Sequence, residues 1–130
     1  MLELINKYFP ELSVEKKDKL NKLHELFSFW NEKINVISRK DFDNFYLRHV
    51  LHSLAIAKYI NFLPSTKILD VGTGGGFPGI PLAIIFDDVN FTLIDSIGKK
   101  IKVVNSISKD LQLNNVKGIH TRAENINGNF

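Results

Sequence analysis

The sequence predicts an α/β protein built on the first half of a doubly wound parallel sheet and preceded by helices. Three observations predict it. After residue 66, short β-branched runs alternate with amphipathic ones in the order strand, helix, strand, helix, strand, the pattern of parallel β-α-β units with right-handed crossovers. A dense glycine cluster directly follows the first of these strands. Before the interruption at Asn61, Pro64 and Ser65, the apolar period is helical. Residues 1–62 are therefore expected to form a helical extension and residues 63–130 a sheet-bearing core, within one domain of ordinary size.

Taken in order, Leu20, Leu23, Phe27, Trp30 and Ile34 recur at spacings of three and four and define one stripe of a helix. Ser13 is its expected N-cap, with Pro10 just outside. Lys16, Lys17, Lys19 and Lys22 decorate the polar side and read as a solvated face rather than an RNA-contacting ridge. A polar and β-branched connection over residues 33–40 leads to a second helix. Asp41 is its cap, and Phe42, Phe45, Tyr46, Val50, Leu54 and Ala57 form its buried side. Lys67 to Val71 reads as a buried strand, Pro81 to Phe86 as the apolar part of a helix, and Asn90 to Asp95 as the next strand. Lys99 to Leu111 carries Ile101, Val104, Ile107 and Leu111 on one helical face, and Val116 to His120 is a third, weaker strand.

Composition narrows the function classes. With 44% hydrophobic and 24% charged residues a packed core is possible and disorder is not expected. The absence of cysteine excludes disulfide scaffolds, thiolate zinc sites and cysteine nucleophiles. A net charge of +3 permits a polyanionic partner without demanding one. Apolar runs are far too short for a membrane span, and Met1 is followed by Glu3 and an amphipathic stretch rather than a signal region. A soluble, cytoplasmic protein with no membrane association is expected.

The sharpest feature is Asp70-Val71-Gly72-Thr73-Gly74-Gly75-Gly76-Phe77-Pro78-Gly79, in which five of the eight residues from Gly72 to Gly79 are glycine. Such a backbone can take positive φ angles and let a ligand approach closely. N–H groups at the start of the following helix are expected to be free to face an anionic or polar ligand group. Pro78 and Pro81 fit only in the loop and the first helical turn. Gly74, Gly76 and Gly79 satisfy G-x-G-x-x-G, and Asp95 stands nineteen residues after Gly76 at a strand end, where a carboxylate can accept ribose hydroxyls. An adenosine-type cofactor is expected, the alternative being a glycine-rich turn that holds no ligand. A nicotinamide dinucleotide would set its pyrophosphate beside Asp70, which repels it. The cationic amino group of an S-adenosyl-L-methionine tail would instead be attracted, so charge favours the latter.

The segment from Asp70 to Ala83 resembles the glycine loop of the GidB/RsmG methyltransferases, most specifically in Gly76-Phe77-Pro78-Gly79-Ile80-Pro81-Leu82. Trp30-Asn31, residues 35–39 and 49–54, Leu93-Ile94-Asp95-Ser96, Lys99-Lys100, Asn115-Val116 and Arg122-Ala123-Glu124 are similar to further blocks of that family, in the same order. His52 departs from the family's usual aspartate. The resemblance implies a Rossmann-like methyltransferase fold and transfer of a methyl group from S-adenosyl-L-methionine to N7 of a guanosine in 16S ribosomal RNA. The small ribosomal subunit would be the partner and a monomer the working state. It implies cofactor contacts at Gly72, Phe77, Asp95 with Ser96, and Ala123-Glu124. Asp70, Gly74 and Gly76 complete the expected cofactor set, while Phe77 can equally serve as a loop anchor in the core.

Guanine N7 already presents an in-plane lone pair, so no general base is required and no catalytic side chain is assigned. Positioning supplies much of such an acceleration. No metal is expected: His49 and His52 lie three apart without further ligands and read as packing or RNA-facing residues. Arg39 and Arg48 are the candidates for phosphate contacts. The chain supplies three strands of what the resemblance implies is a larger sheet, and ends at Asn127-Gly128-Asn129-Phe130, so a fragment is expected. A nicotinamide-dependent oxidoreductase and a non-catalytic RNA-binding remnant are the alternatives.

Overall fold

Residues 2–34 and 42–130 are described by the computed structural model. The expected connection through Arg39, the cap at Asp41 and the side chains of Phe45 and Tyr46 lie outside the described residues.

Helix α1 spans Leu2–Tyr8, α2 Val14–Ile34 and α3 Phe42–Tyr59. Ser13 caps α2 as expected, its Oγ accepting the Lys16 N–H at 3.3 Å. Leu20, Leu23 and Phe27 are buried along the predicted stripe, and Trp30 and Ile34 pack partly buried against the same core. Helix α1 was not legible from the periodicity. Ile5 on it, and Phe9 just after it, are buried four residues apart and fix it to α2. On α3, Val50 and Leu54 face the core with Ser53, whose hydroxyl donates back to the His49 carbonyl at 2.7 Å.

Strands β1 (Lys67–Val71), β2 (Asn90–Asp95) and β3 (Val116–His120) form a parallel sheet in the order β1-β2-β3. The crossovers are α4 (Gly79–Ile85) and α5 (Gly98–Asp110). All seven residues of α4 are buried, because the helix is packed against β2 and against both α2 and α3. A helix enclosed in this way has no solvated face to keep polar, which accounts for its unbroken apolar sequence. Helix α5 packs on β2, β3 and α2 through Ile101, Val104 and Ile107. One apolar cluster runs from Ile5 through Leu93 to Leu111, joining the helices to the sheet.

The expectation of a buried first strand needs correction. Among the described residues β1 pairs with β2 alone, so Ile68, Leu69 and Asp70 are half-buried and Val71 is 57% exposed. The central position belongs to β2, where Phe91, Leu93 and Ile94 are at most 2% exposed. Full burial of each such side chain contributes about 1.5–3 kcal/mol.

Two asparagines tie the sheet to its helices. Asn115 Nδ2 donates to the carbonyls of Ala83, Phe86 and Val89 at 2.9–3.0 Å, holding the α4–β2 turn against the start of β3. Asn105 on α5 bonds both backbone groups of Gly118, donating to its carbonyl at 3.2 Å and accepting its N–H at 3.1 Å. Among the described residues no helix is long and apolar enough to cross a membrane.

Candidate functional site

In an open parallel sheet the connections leaving the carboxyl ends of the strands converge, and a crevice forms between them. Here the backbone beyond β1 turns at Gly72, with φ at +71°, an angle that side-chain-bearing residues adopt with strain. The N–H groups of Gly72 and Thr73 both donate to the Ile94 carbonyl at 3.0 Å, which keeps the turn tight against the end of β2. A Cβ built on Gly72 meets no protein atom within 4 Å, although Gly72 lines the crevice. The space beside its backbone is thus open to a ligand, and any larger residue would fill part of it.

The crevice measures about 270 Å³ and is lined by Val71 of β1 and the following Gly72, by Ile94 and Asp95 of β2 and the following Ser96, and by Thr121 to Glu124 beyond β3. It brings together five of the residues expected from the sequence: Gly72, Asp95, Ser96, Ala123 and Glu124. Ala123 and Glu124 sit on an exposed 3-10 turn, Ala123–Asn125, that follows the third strand. Val71, Ile94, Thr121 and Arg122 were not anticipated. Val71, Ile94 and Arg122 lie within the motif blocks without having been assigned to the site, whereas Thr121 is brought in by the fold, its N–H donating to the Asp95 carbonyl at 3.1 Å.

Asp95 does more than face the crevice. One carboxylate oxygen accepts the Gly74 N–H and the other the Ile97 N–H, both at 2.9 Å, and the residue is only 8% exposed. It therefore pins the glycine loop to the end of β2. Ser96 is exposed beside it, and its carbonyl is 3.0 Å from His120 Nε2.

The other expected cofactor residues lie on the helix side of the loop. Asp70 Oδ2 accepts the Thr73 hydroxyl at 2.9 Å and the Gly79 N–H at 3.1 Å. Burial pushes the Asp70 carboxyl above its ordinary range, the hydrogen bonds from Thr73 and Gly79 pull it down, and the nearby Asp95 charge raises it. Gly76 is buried, and a Cβ there would run into the Ile80 side chain. The Phe77 ring packs edge-on against Phe27, with centroids 5.3 Å apart, and lies 5.4 Å from the His49 ring, so its side chain is seated on the core. The expected N–H groups free for a ligand at the start of α4 are not there. Gly79 N–H is taken by Asp70, Ile80 N–H by the Gly76 carbonyl, Leu82 N–H by the Pro78 carbonyl, and Pro81 has none. The loop folds back on its own helix, and that closes the N-terminus to a phosphate.

Arg48 is exposed on α3, and Arg39 lies outside the described residues. Burial, and then the neighbouring His52, lower the His49 pKa below the ordinary imidazole value. A larger groove of about 600 Å³ between α1 and α3, lined by Leu4, Phe9, Leu51, Leu54 and Tyr59 among others, is mostly apolar and offers no converging set of polar groups. Chemistry therefore points to the strand-end crevice.

Parallel strands joined by helical crossovers, with a positive-φ glycine turn after the first and an acid closing the second, define a Rossmann-like α/β fold. Comparison with known sequences narrows that class. The sequence model of GidB, rRNA small subunit methyltransferase G, matches residues 16–130, and the chain belongs to this family. Similar proteins include the ribosomal RNA small subunit methyltransferase G of Porphyromonas gingivalis, 56% identical over 98% of this chain and 58% of its own length. Those of Christiangramia forsetii and Phocaeicola vulgatus are 59% and 60% identical over 99% and 95% of this chain, and 61% and 59% of their own lengths. The chain thus spans about three-fifths of the length of the curated relatives it matches.

Proposed function

We propose that the chain is the cofactor-binding part of an S-adenosyl-L-methionine-dependent methyltransferase acting on N7 of a guanosine in 16S ribosomal RNA, with the small ribosomal subunit as its partner. The observation that carries this reading is the crevice in which Gly72, Asp95, Ser96, Ala123 and Glu124 stand together. An ionised carboxylate has about four acceptor sites. Asp95 uses two on backbone N–H groups and keeps the rest for ribose hydroxyls. Ala123 and Glu124 border the adenine, and Asp70 faces the cationic amino group of the methionine tail. Gly74, Gly76 and the core-seated Phe77 hold the loop in shape.

When bound, the cofactor supplies a methyl group activated by its sulfonium. The chain's own task is to bind, orient and exclude water, since guanine N7 needs no proton removed. Arg48 and Arg39 contact backbone phosphates of the RNA. Residues 1–62 form the helical extension of a single domain whose core begins at residue 63, and the protein works as a cytoplasmic monomer.

The closed start of α4 disfavours the nicotinamide reading, because a pyrophosphate would find no free N–H there and two carboxylates, Asp70 and Asp95, nearby. The names of the relatives disfavour a non-catalytic remnant. Calorimetric titration with S-adenosyl-L-methionine and with NAD tests the assignment. Binding of the former and not of the latter is expected, and tighter binding of NAD overturns it.

A further inference from the structure

Thr73 belongs to no expected set of site residues, yet the glycine loop is organised around it. Its N–H donates to the Ile94 carbonyl at 3.0 Å, and its own carbonyl accepts the N–H groups of Gly76 and Phe77 at 3.0 and 3.1 Å. Its hydroxyl donates to Asp70 Oδ2 at 2.9 Å, and the residue is 2% exposed. Packing alone would be served equally well by valine, which has the same shape and no donor. The hydroxyl therefore has a polar purpose.

That purpose is visible at Asp70. Oδ2 receives both the Thr73 hydroxyl and the Gly79 N–H, whereas Oδ1 has no hydrogen bond among the described residues. Asp70 lies at the end of β1 in a partly buried position that disfavours its charge, and two donors offset that burial. The groups facing it are few: Asp95 on β2 opposes its ionisation, and α4 is apolar along its whole length. Among the described residues Thr73 is the one side-chain donor to Asp70. The other donor, Gly79 N–H, can come this close because its residue has no side chain: a Cβ there would run into Leu93 and crowd Asp70 Oδ2 at 3.0 Å.

We propose that Thr73 is a positioning residue for cofactor binding: its hydroxyl fixes Asp70 as an anionic acceptor whose second oxygen serves a cationic ligand group. The inference rests on the S-adenosyl-L-methionine reading above. Removing the hydroxyl frees the carboxylate to turn and takes away one of the two donors that favour its charged form. Affinity is then lost, and the acid side of the binding profile moves to higher pH.

The test is calorimetric titration of S-adenosyl-L-methionine between pH 4.5 and 8 on the full chain, for the wild type, Thr73→Val and Thr73→Ser, with thermal unfolding of each. Thr73→Val should bind about tenfold more weakly at pH 7, the equivalent of one hydrogen bond to a charged group. Its acid-side loss of binding should begin at higher pH, and Thr73→Ser should restore both. A Thr73→Val protein with wild-type affinity and pH profile, whatever its stability, overturns the proposal and leaves the cofactor reading standing. A wild-type protein that binds none of the compound overturns both. Titration of the Asp70 carboxyl carbon by NMR in the wild type decides the matter even if the variants do not fold. Added cofactor should lower its midpoint, and an unmoved midpoint overturns the proposal.

Discussion

Replacing Asp95 by alanine removes, in one step, the acceptor for two backbone N–H groups. Both bonds are 2.9 Å long, and the residue is 8% exposed, so water replaces the lost oxygens poorly. A buried donor left without a partner costs about 1–3 kcal/mol. Two such donors, with the loop free to relax partly, give a destabilisation of about 2–4 kcal/mol. At this chain length that corresponds to a fall in Tm of about 8–15 °C. Asp95→Asn keeps one acceptor oxygen but turns an NH2 group toward the other N–H, so about half that loss is expected. The assay is thermal unfolding followed by circular dichroism without ligand, with cofactor affinity measured separately. Both variants should also bind S-adenosyl-L-methionine more weakly, by a further 1–3 kcal/mol or so for the lost ribose acceptor. An unchanged Tm for ligand-free Asp95→Ala would refute the loop-pinning argument, even if affinity fell.

Other expectations concern the frame around the crevice. Asn115→Ala leaves the Ala83, Phe86 and Val89 carbonyls without their shared donor and should cost about 2–3 kcal/mol in urea unfolding; a loss under 0.5 kcal/mol would contradict the clip. Gly76→Ala combines a φ of +105° with a Cβ directed into Ile80 and should destabilise by more than 1 kcal/mol, whereas a neutral effect would mean that Ile80 can give way. The lowered His49 pKa means that the neutral imidazole stabilises the fold fully above the ordinary histidine range, and this contribution fades as pH falls through the depressed value. His49→Gln should therefore narrow the difference in Tm between pH 7 and pH 5, and an unchanged difference would count against that assignment.

The sheet and its crossovers were legible because they are local. Lys67–Val71, Asn90–Asp95 and Val116–His120 each announce themselves by a β-branched run with turn residues on either side, and Pro81 to Leu111 carries its helices in its apolar spacing. Helix α1 was not legible, since seven residues are too few to establish a period. The half-burial of β1 is not legible, because an apolar strand sequence does not say how many neighbours the strand has. In the site, Gly72, Asp95 and Ala123-Glu124 could be read from motif and spacing. The roles of Thr73 and Asn115 could not, because each depends on partners that only the fold brings near: an aspartate three residues back at a strand end, and carbonyls 26 to 32 residues away. The same limit explains the helix start. Gly79 N–H looks free in the sequence and is claimed by Asp70, nine residues earlier.

Hydrogen–deuterium exchange with and without S-adenosyl-L-methionine interrogates the crevice most directly. Added compound should slow exchange in three separated stretches at once: the glycine loop after Val71, the backbone following Asp95, and the turn at Ala123–Asn125. Protection confined to the groove between α1 and α3, or none at these strand ends despite measurable binding, would contradict the account.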